Sequence, residues 1–274
     1  MNTKPFLVSL FVLFGVLTLA LLAPAGCAMV THEETRVVET DAVPLGALVV
    51  DTRNGSINVS RSDGPGAVIT ARLKARSQER LEQVEVVAHR RDDGALHVYV
   101  EWPDGRARSG EGCSFDISVP DAEGLQLTTS NGSVAARGFR GESRLRTSNG
   151  SVSIRDHDGP VSLRTSNGRI TAEEVSGPIE LRTSNGGVRA RLTPDNPGPV
   201  NVRSSNGTIT LALGAAFEGD LELRTSNGRI SLDDVEGMNL RSVSRSEVLL
   251  RAGDGDAHSV VRTSNGSITL SQSK

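Results

Sequence analysis

The sequence predicts an all-β protein: a right-handed β-solenoid of roughly 18–21-residue Thr-Ser-Asn-Gly repeats behind an N-terminal β capping region. Three observations carry this expectation. The tetrapeptide, or a close variant, places asparagine at Asn131, Asn149, Asn167, Asn185, Asn206, Asn227 and Asn265, with gaps of 18, 18, 18, 21, 21 and 38 residues. Residues alternate apolar and polar on both sides of it: Val161, Leu163, Thr165, Ile170 and Ala172 share one face, and Ser162, Arg164 and Thr171 the other. From residue 125 onward no helical stripe of useful length occurs.

The elements follow in chain order. Residues 1–27 read as an export signal: Lys4, an uncharged apolar run over 6–22, then Ala23-Pro24-Ala25-Gly26-Cys27. Ala-Gly-Cys is similar to a lipobox, which makes Cys27 the expected lipidation site. Ala23-Pro24-Ala25 also satisfies small-x-small cleavage, and the run is near the lower length of a membrane span, ~17–25 residues. Each outcome exports the chain, and lipid or an uncleaved anchor would tether it to a membrane. Residues 28–44 read as a linker. Residues 45–124 hold strands without strict repetition, at 47–50, 68–73, 84–88, 96–101 and 115–119, with a helical turn over 77–83. They are expected to cap one end of the solenoid, whose open end would be an unpaired sheet edge.

Residues 125–274 form the repeat. Its corners are Asn131-Gly132, Asn149-Gly150, Asn167-Gly168, Asn185-Gly186, Asn206-Gly207, Asn227-Gly228 and Asn265-Gly266, with Asn or Gly at positive φ. The 38-residue gap reads as two repeats, the middle one decayed to Leu240-Arg241-Ser242-Val243-Ser244. An earlier outlier, Asp51-Thr52-Arg53-Asn54-Gly55, carries the same signature. An antiparallel meander or barrel of Asn-Gly hairpins is the alternative architecture. A solenoid is preferred because it buries the apolar face within each coil, whereas an open meander leaves that face uncovered. The hexapeptide left-handed helix is excluded by Asp158 and Arg164, which follow Val152 at six-residue steps where aliphatics are required. With the C-terminus close behind the last copy, little sequence is left for a cap, so the exposed edge of that last coil is expected to be either protected by residues 271–274 or used for contact.

Composition narrows function more than it defines it. A net charge of −3 argues against nucleic-acid partners, and 3% aromatics supplies few stacking surfaces. With Cys27 lipidated, Cys113 has no disulfide partner. The histidines are isolated; Asp156-His157-Asp158 reads as a loop, and no metal or cofactor is expected.

The order Asp116-Ile117-Ser118-Val119-Pro120, Leu125-Gln126-Leu127-Thr128-Thr129-Ser130-Asn131-Gly132, then tandem x-Leu-x-Thr-Ser-Asn-Gly-x-Ile units, resembles the bacterial DUF4097 family, also called "putative adhesin". The resemblance covers about residues 45–270. It implies an envelope β-solenoid, in some relatives tied to envelope-stress responses, with no established catalytic residues.

One column of residues carries chemistry. Arg146, Arg164, Arg182, Arg203, Arg224 and Arg262 precede the signature, with Arg241 in the decayed copy. Stacked coils would align them outward as a ladder, either a solvated face laced with salt bridges or a linear anion-binding stripe. Enzyme chemistry is not expected: Glu173 and Glu174, adjacent on one strand, should face opposite ways and form no acid/base pair. The expected function is a non-catalytic cell-envelope module, adhesive or structural, taking an anionic envelope polymer on the ladder. A stress-sensing scaffold working through envelope-protein contacts is the alternative, and a carbohydrate-active enzyme on a β-helix stands behind both.

Overall fold

The computed structural model describes residues 31–40, 46–235 and 237–273, so the signal segment and Cys27 lie outside the described residues. Two long sheets, of eleven and twelve strands, face each other. Each coil contributes one strand to each sheet. Val161–Arg164, for example, runs along one sheet, the chain turns at Thr165–Gly168, and Ile170–Val175 runs along the other. Neighbouring coils pair in parallel and in register: Val161 with Ile179, Leu163 with Leu181, Arg164 with Arg182. This is the solenoid, not the hairpin meander.

The inward residues are those expected from alternation. Leu145, Leu163, Leu181, Val202, Leu223 and Val261 on one sheet are at most 1% exposed, as are Val152, Ile170, Ile209 and Ile268 opposite. Burial of one such side chain contributes roughly 1.5–3 kcal/mol. The stack thus grows by repeating the same apolar increment.

The corner shows what each letter of the signature does. Thr165 is buried and its Oγ1 donates to the Gly150 carbonyl of the preceding coil at 2.9 Å; Thr147 does the same to Gly132 at 2.9 Å and Thr183 to Gly168 at 3.1 Å. The asparagines form an amide ladder, Asn167 Nδ2 donating to Asn149 Oδ1 and Asn185 Nδ2 to Asn167 Oδ1, both at 2.9 Å. Glycine is required by space. A Cβ on Gly168 would lie 1.9 Å from the Gly150 carbonyl oxygen. Positive φ is a weaker constraint than expected: Gly132 and Gly150 have φ of 151° and 153°, and no corner asparagine is among the positive-φ residues.

The coil order differs from the chain order. The asparagine ladder runs 54–131–149–167–185–206–265–227, so the last copy in the sequence sits between the two before it. Strand His258–Asn265 pairs in parallel with Val200–Asn206 on one side and Gly219–Asn227 on the other. The expected decayed coil is absent. Met238–Val243, lacking Asn-Gly, cannot make the corner; the chain reverses at Ser244–Ser246 and returns as Glu247–Ala252, antiparallel to both Met238–Val243 and Gly219–Asn227. That hairpin covers the Gly219–Asn227 edge. The expectation of an exposed C-terminal coil is therefore corrected: Ile268–Gln272 is internal to its sheet, between Ile209–Leu213 and Ile230–Asp233.

The other end is closed by antiparallel strands. Ala67–Ala75 pairs with Gly112–Val119, and Glu85–Arg90 with Leu96–Glu101. Between them Ser77 caps the short helix Gln78–Glu82, accepting from Arg80 N at 3.2 Å. Two boundaries shift. The linker 28–44 contains strand His32–Thr40, paired over its whole length with Ala67–Ala75. Within the expected capping region, Leu48–Asp51 and Ile57–Arg61 form a true coil, stacked on Glu123–Thr128 and Val134–Arg137.

A buried ion cluster fastens this cap. The Arg80 guanidinium, 7% exposed, donates through Nε to both Glu111 carboxylate oxygens at 2.8 and 2.9 Å and through Nη1 to Asp104 at 2.8 Å, with its plane near Trp102. Removing Arg80 would leave the buried Glu111 carboxylate without its cation.

Candidate functional site

The six arginines occupy one outward column. Pairing runs Arg146–Arg164–Arg182–Arg203–Arg262–Arg224, continuous across six coils. Arg241 is excluded, because its strand is antiparallel and its register shifts there; it reaches Asp220 at 3.6 Å instead. At strand spacing, ~4.8 Å, two unit charges in water repel by about 1 kcal/mol, so such a column needs counter-charge.

Counter-charge is supplied unevenly. Glu180 bridges Arg164 at 3.1 Å and Arg182 at 2.7 Å. Arg224 is held by Glu222 and, at 2.7 Å, by Glu247. Among the described residues Arg146, Arg203 and Arg262 have no carboxylate within salt-bridge distance. Acids of the opposite sheet do not serve the column. Asp156 pairs with Arg137 at 2.8 Å, Glu174 pairs with Arg191 at 2.8 Å, and Glu173 pairs with Arg155, all on the opposite sheet.

Beside the arginines runs a second column, the exposed serines of the signature. Together they line a shallow groove of about 450 Å³, with Ser148, Ser166, Ser184, Ser205 and Ser264 along one wall and the arginines Arg146 to Arg262 along the other. Guanidinium forks offer charge-assisted, bidentate hydrogen bonds, and hydroxyls donate or accept as needed. The groove can therefore hold an extended anion lying across the coils. Neither the serine wall nor the partner-free state of three arginines was foreseen. The first was legible in the repeat; the second required coil order.

The remaining sequence candidates separate from this groove. Glu173 and Glu174 do not face opposite sides: Glu174 sits at φ 54° in a bulge, so both reach solvent and each takes its own arginine. His157 is not in a loop. It closes strand Val152–His157, is 3% exposed, and its Nε2 lies 2.9 Å from the Gly141 carbonyl. Burial lowers its titration below the ordinary 6.5, against the opposing pull of Gly141 and Asp158. Cys113 is a buried free thiol, pushed up to about 12 by burial. Among the described residues no group of three or more His, Cys, Asp or Glu could hold a metal, and no helix is long and apolar enough to cross a membrane.

The DUF4097 family, described as Toastrack, matches residues 41–271. The chain belongs to it. Similar solved structures include a Bacteroides fragilis protein described as a "putative adhesin", 12% identical, covering 86% of this chain and 96% of its own, with a TM-score of 0.38. A Clostridium sporogenes "putative cell adhesion protein" is 11% identical over 89% of this chain and 100% of its own, TM-score 0.31. A Parabacteroides distasonis "putative lipid binding protein" is 12% identical over 87% and 96%, TM-score 0.33. At that level of likeness no side-chain position carries over to this DUF4097 chain. No curated protein matches it.

Proposed function

We propose that this DUF4097 protein is a non-catalytic envelope module that binds an anionic polymer along its arginine–serine groove, tethered by lipid at Cys27 or by its apolar N-terminal segment. The observation that carries the reading is the unbroken column of six arginines, five of which line the groove beside serine hydroxyls and three of which, among the described residues, have no carboxylate within salt-bridge distance. A face meant only to be solvated would distribute its acids to neutralise each cation, as Glu180 does for two of them. Binding of this kind is electrostatic and weakens with salt.

The test is titration of the full chain with an acidic polysaccharide and with inorganic polyphosphate. Changing Arg146, Arg203 and Arg262 together to Gln should weaken binding at least about tenfold while the melting temperature holds. Unaltered affinity in that variant defeats the proposal. A second reading, a scaffold acting through protein contacts, is favoured by one observation. The edge strand Met238–Val243 presents Leu240 and Val243 at 54% and 60% exposure. Capture of an envelope protein lost on Leu240→Ser, without polymer binding, would select it.

A further inference from the structure

The outer face that carries the arginines does not end at Arg146. Following the pairing toward the capped end, the arginine column continues through Thr128, Asp51 and Tyr99. The adjacent column arrives at Val49, His97 and His89. The rings meet there. His89 and His97 stack with centroids 5.4 Å apart, and Tyr99 meets His89 edge-on at 5.7 Å and 89°.

The placement is selective. Among the described residues, every phenylalanine and the tryptophan are buried: Phe115, Phe139, Phe217 and Trp102. Tyr99, the chain's one tyrosine, is the exception, half-buried on the outer face. Burial, then Arg91 and His89, lower the His97 titration below 6.5, only partly opposed by Asp93. Imidazole rings supply both a flat face and hydrogen-bonding nitrogens. This end of the face is thus suited to hydroxyls and apolar C–H surface, in contrast to the arginine end.

We propose that the Tyr99–His97–His89 cluster is a sugar-stacking subsite in line with the arginine groove, so that the groove's polymer is an acidic polysaccharide rather than a phosphate polymer. The inference rests on the reading of the arginine column as an anion site. The apolar C–H face of a pyranose lies on the Tyr99 ring, whose face carries partial negative charge, and the Asp51 carboxylate beside it accepts from sugar hydroxyls. Sugar carboxylates further along reach Arg146 and then Arg203 and Arg262. From the Tyr99 strand to the Arg262 strand there are seven strand spacings, on the order of 34 Å, so a short oligosaccharide cannot engage both ends.

The experiment compares polygalacturonate with inorganic polyphosphate on the full chain, wild type and variants. Tyr99→Ala should weaken polygalacturonate about fivefold or more and leave polyphosphate within about twofold, whereas Tyr99→Phe, which keeps the ring, should leave both within about twofold. His97→Ala serves as the second variant should Tyr99→Ala lower the melting temperature. Equal effects of Tyr99→Ala on both polymers, or none on polygalacturonate, overturn the subsite while the arginine groove stands. Binding of polyphosphate alone does the same. Binding of neither polymer by the wild type, or undiminished binding by the Arg146/Arg203/Arg262→Gln variant, removes the groove reading and this inference with it.

Discussion

Replacing Gly168 with alanine tests the claim that coil contact, rather than turn dihedral, makes glycine obligatory. The added Cβ would stand 1.9 Å from the Gly150 carbonyl oxygen, where real Cβ contacts essentially never fall below 3.0 Å, so the coils must part by at least about 1.1 Å. Three of the coil-to-coil hydrogen bonds nearest that gap are Gly150 N to Asn167 O at 3.0 Å, Asn167 N to Ser148 O at 2.9 Å, and Thr165 Oγ1 to Gly150 O at 2.9 Å. Opening them by about 1 Å takes each beyond hydrogen-bond distance. At a net ~1 kcal/mol apiece the loss is about 3 kcal/mol, before any cost of orphaned carbonyls. For a chain of this size that corresponds to a fall in melting temperature of roughly 6–12 °C. Thermal circular dichroism measures it, with Gly64→Ala as the control, since Gly64 has open space around it and no contact nearer than 3.7 Å. Equal melting temperatures for Gly168→Ala and Gly64→Ala would refute the spatial argument.

Three further outcomes follow from the same geometry. Thr165→Val keeps shape but leaves the Gly150 carbonyl without its hydroxyl donor, and should cost about 1–2 kcal/mol in denaturant unfolding; a neutral result would mean that water replaces the hydroxyl. Glu180→Gln frees Arg164 and Arg182 and should tighten polyanion binding and steepen its salt dependence, read by titration at two ionic strengths. Burial alone would raise the Glu111 carboxyl, but hydrogen bonds from Arg108 N, the Arg80 side chain and Arg76 N hold it below its ordinary 4.5. Its contribution to cap stability is therefore complete above about pH 4.5 and declines as the pH falls through its lower folded value; acid unfolding of Glu111→Gln should show a shallower pH dependence there.

Much of the fold could be read from local pattern. Alternation around Val161–Arg164 and Ile170–Val175 assigned both strands of a coil because side chains on a strand face opposite ways at every step. The outward arginines followed from the same parity. Strand His32–Thr40 escaped because its burial is shallow: of its nine residues only Val38 is buried, so charged neighbours mask the alternation. The bulge at Glu174 escaped as well. A single left-handed residue shifts the parity of all that follows, and neither glutamate announces it.

What the sequence alone determined is the coil: two strands, a Thr-Ser-Asn-Gly corner, an apolar interior and an arginine on the outer face. These depend on neighbours a few residues apart and on contacts between like residues. What only the tertiary structure decided is which coil lies beside which. Asn206 could bond the amide of Asn227 or of Asn265 equally well, since every corner offers the same donor and acceptor. The choice falls to chain connectivity, where the Met238–Val243 and Glu247–Ala252 hairpin covers the Gly219–Asn227 edge and the last copy enters beneath it. That insertion sets Arg262 against Arg203, neither with a carboxylate within salt-bridge distance among the described residues, while Glu247 of the hairpin neutralises Arg224. The charge pattern of the groove is thus a property of coil order, which identical repeats cannot encode.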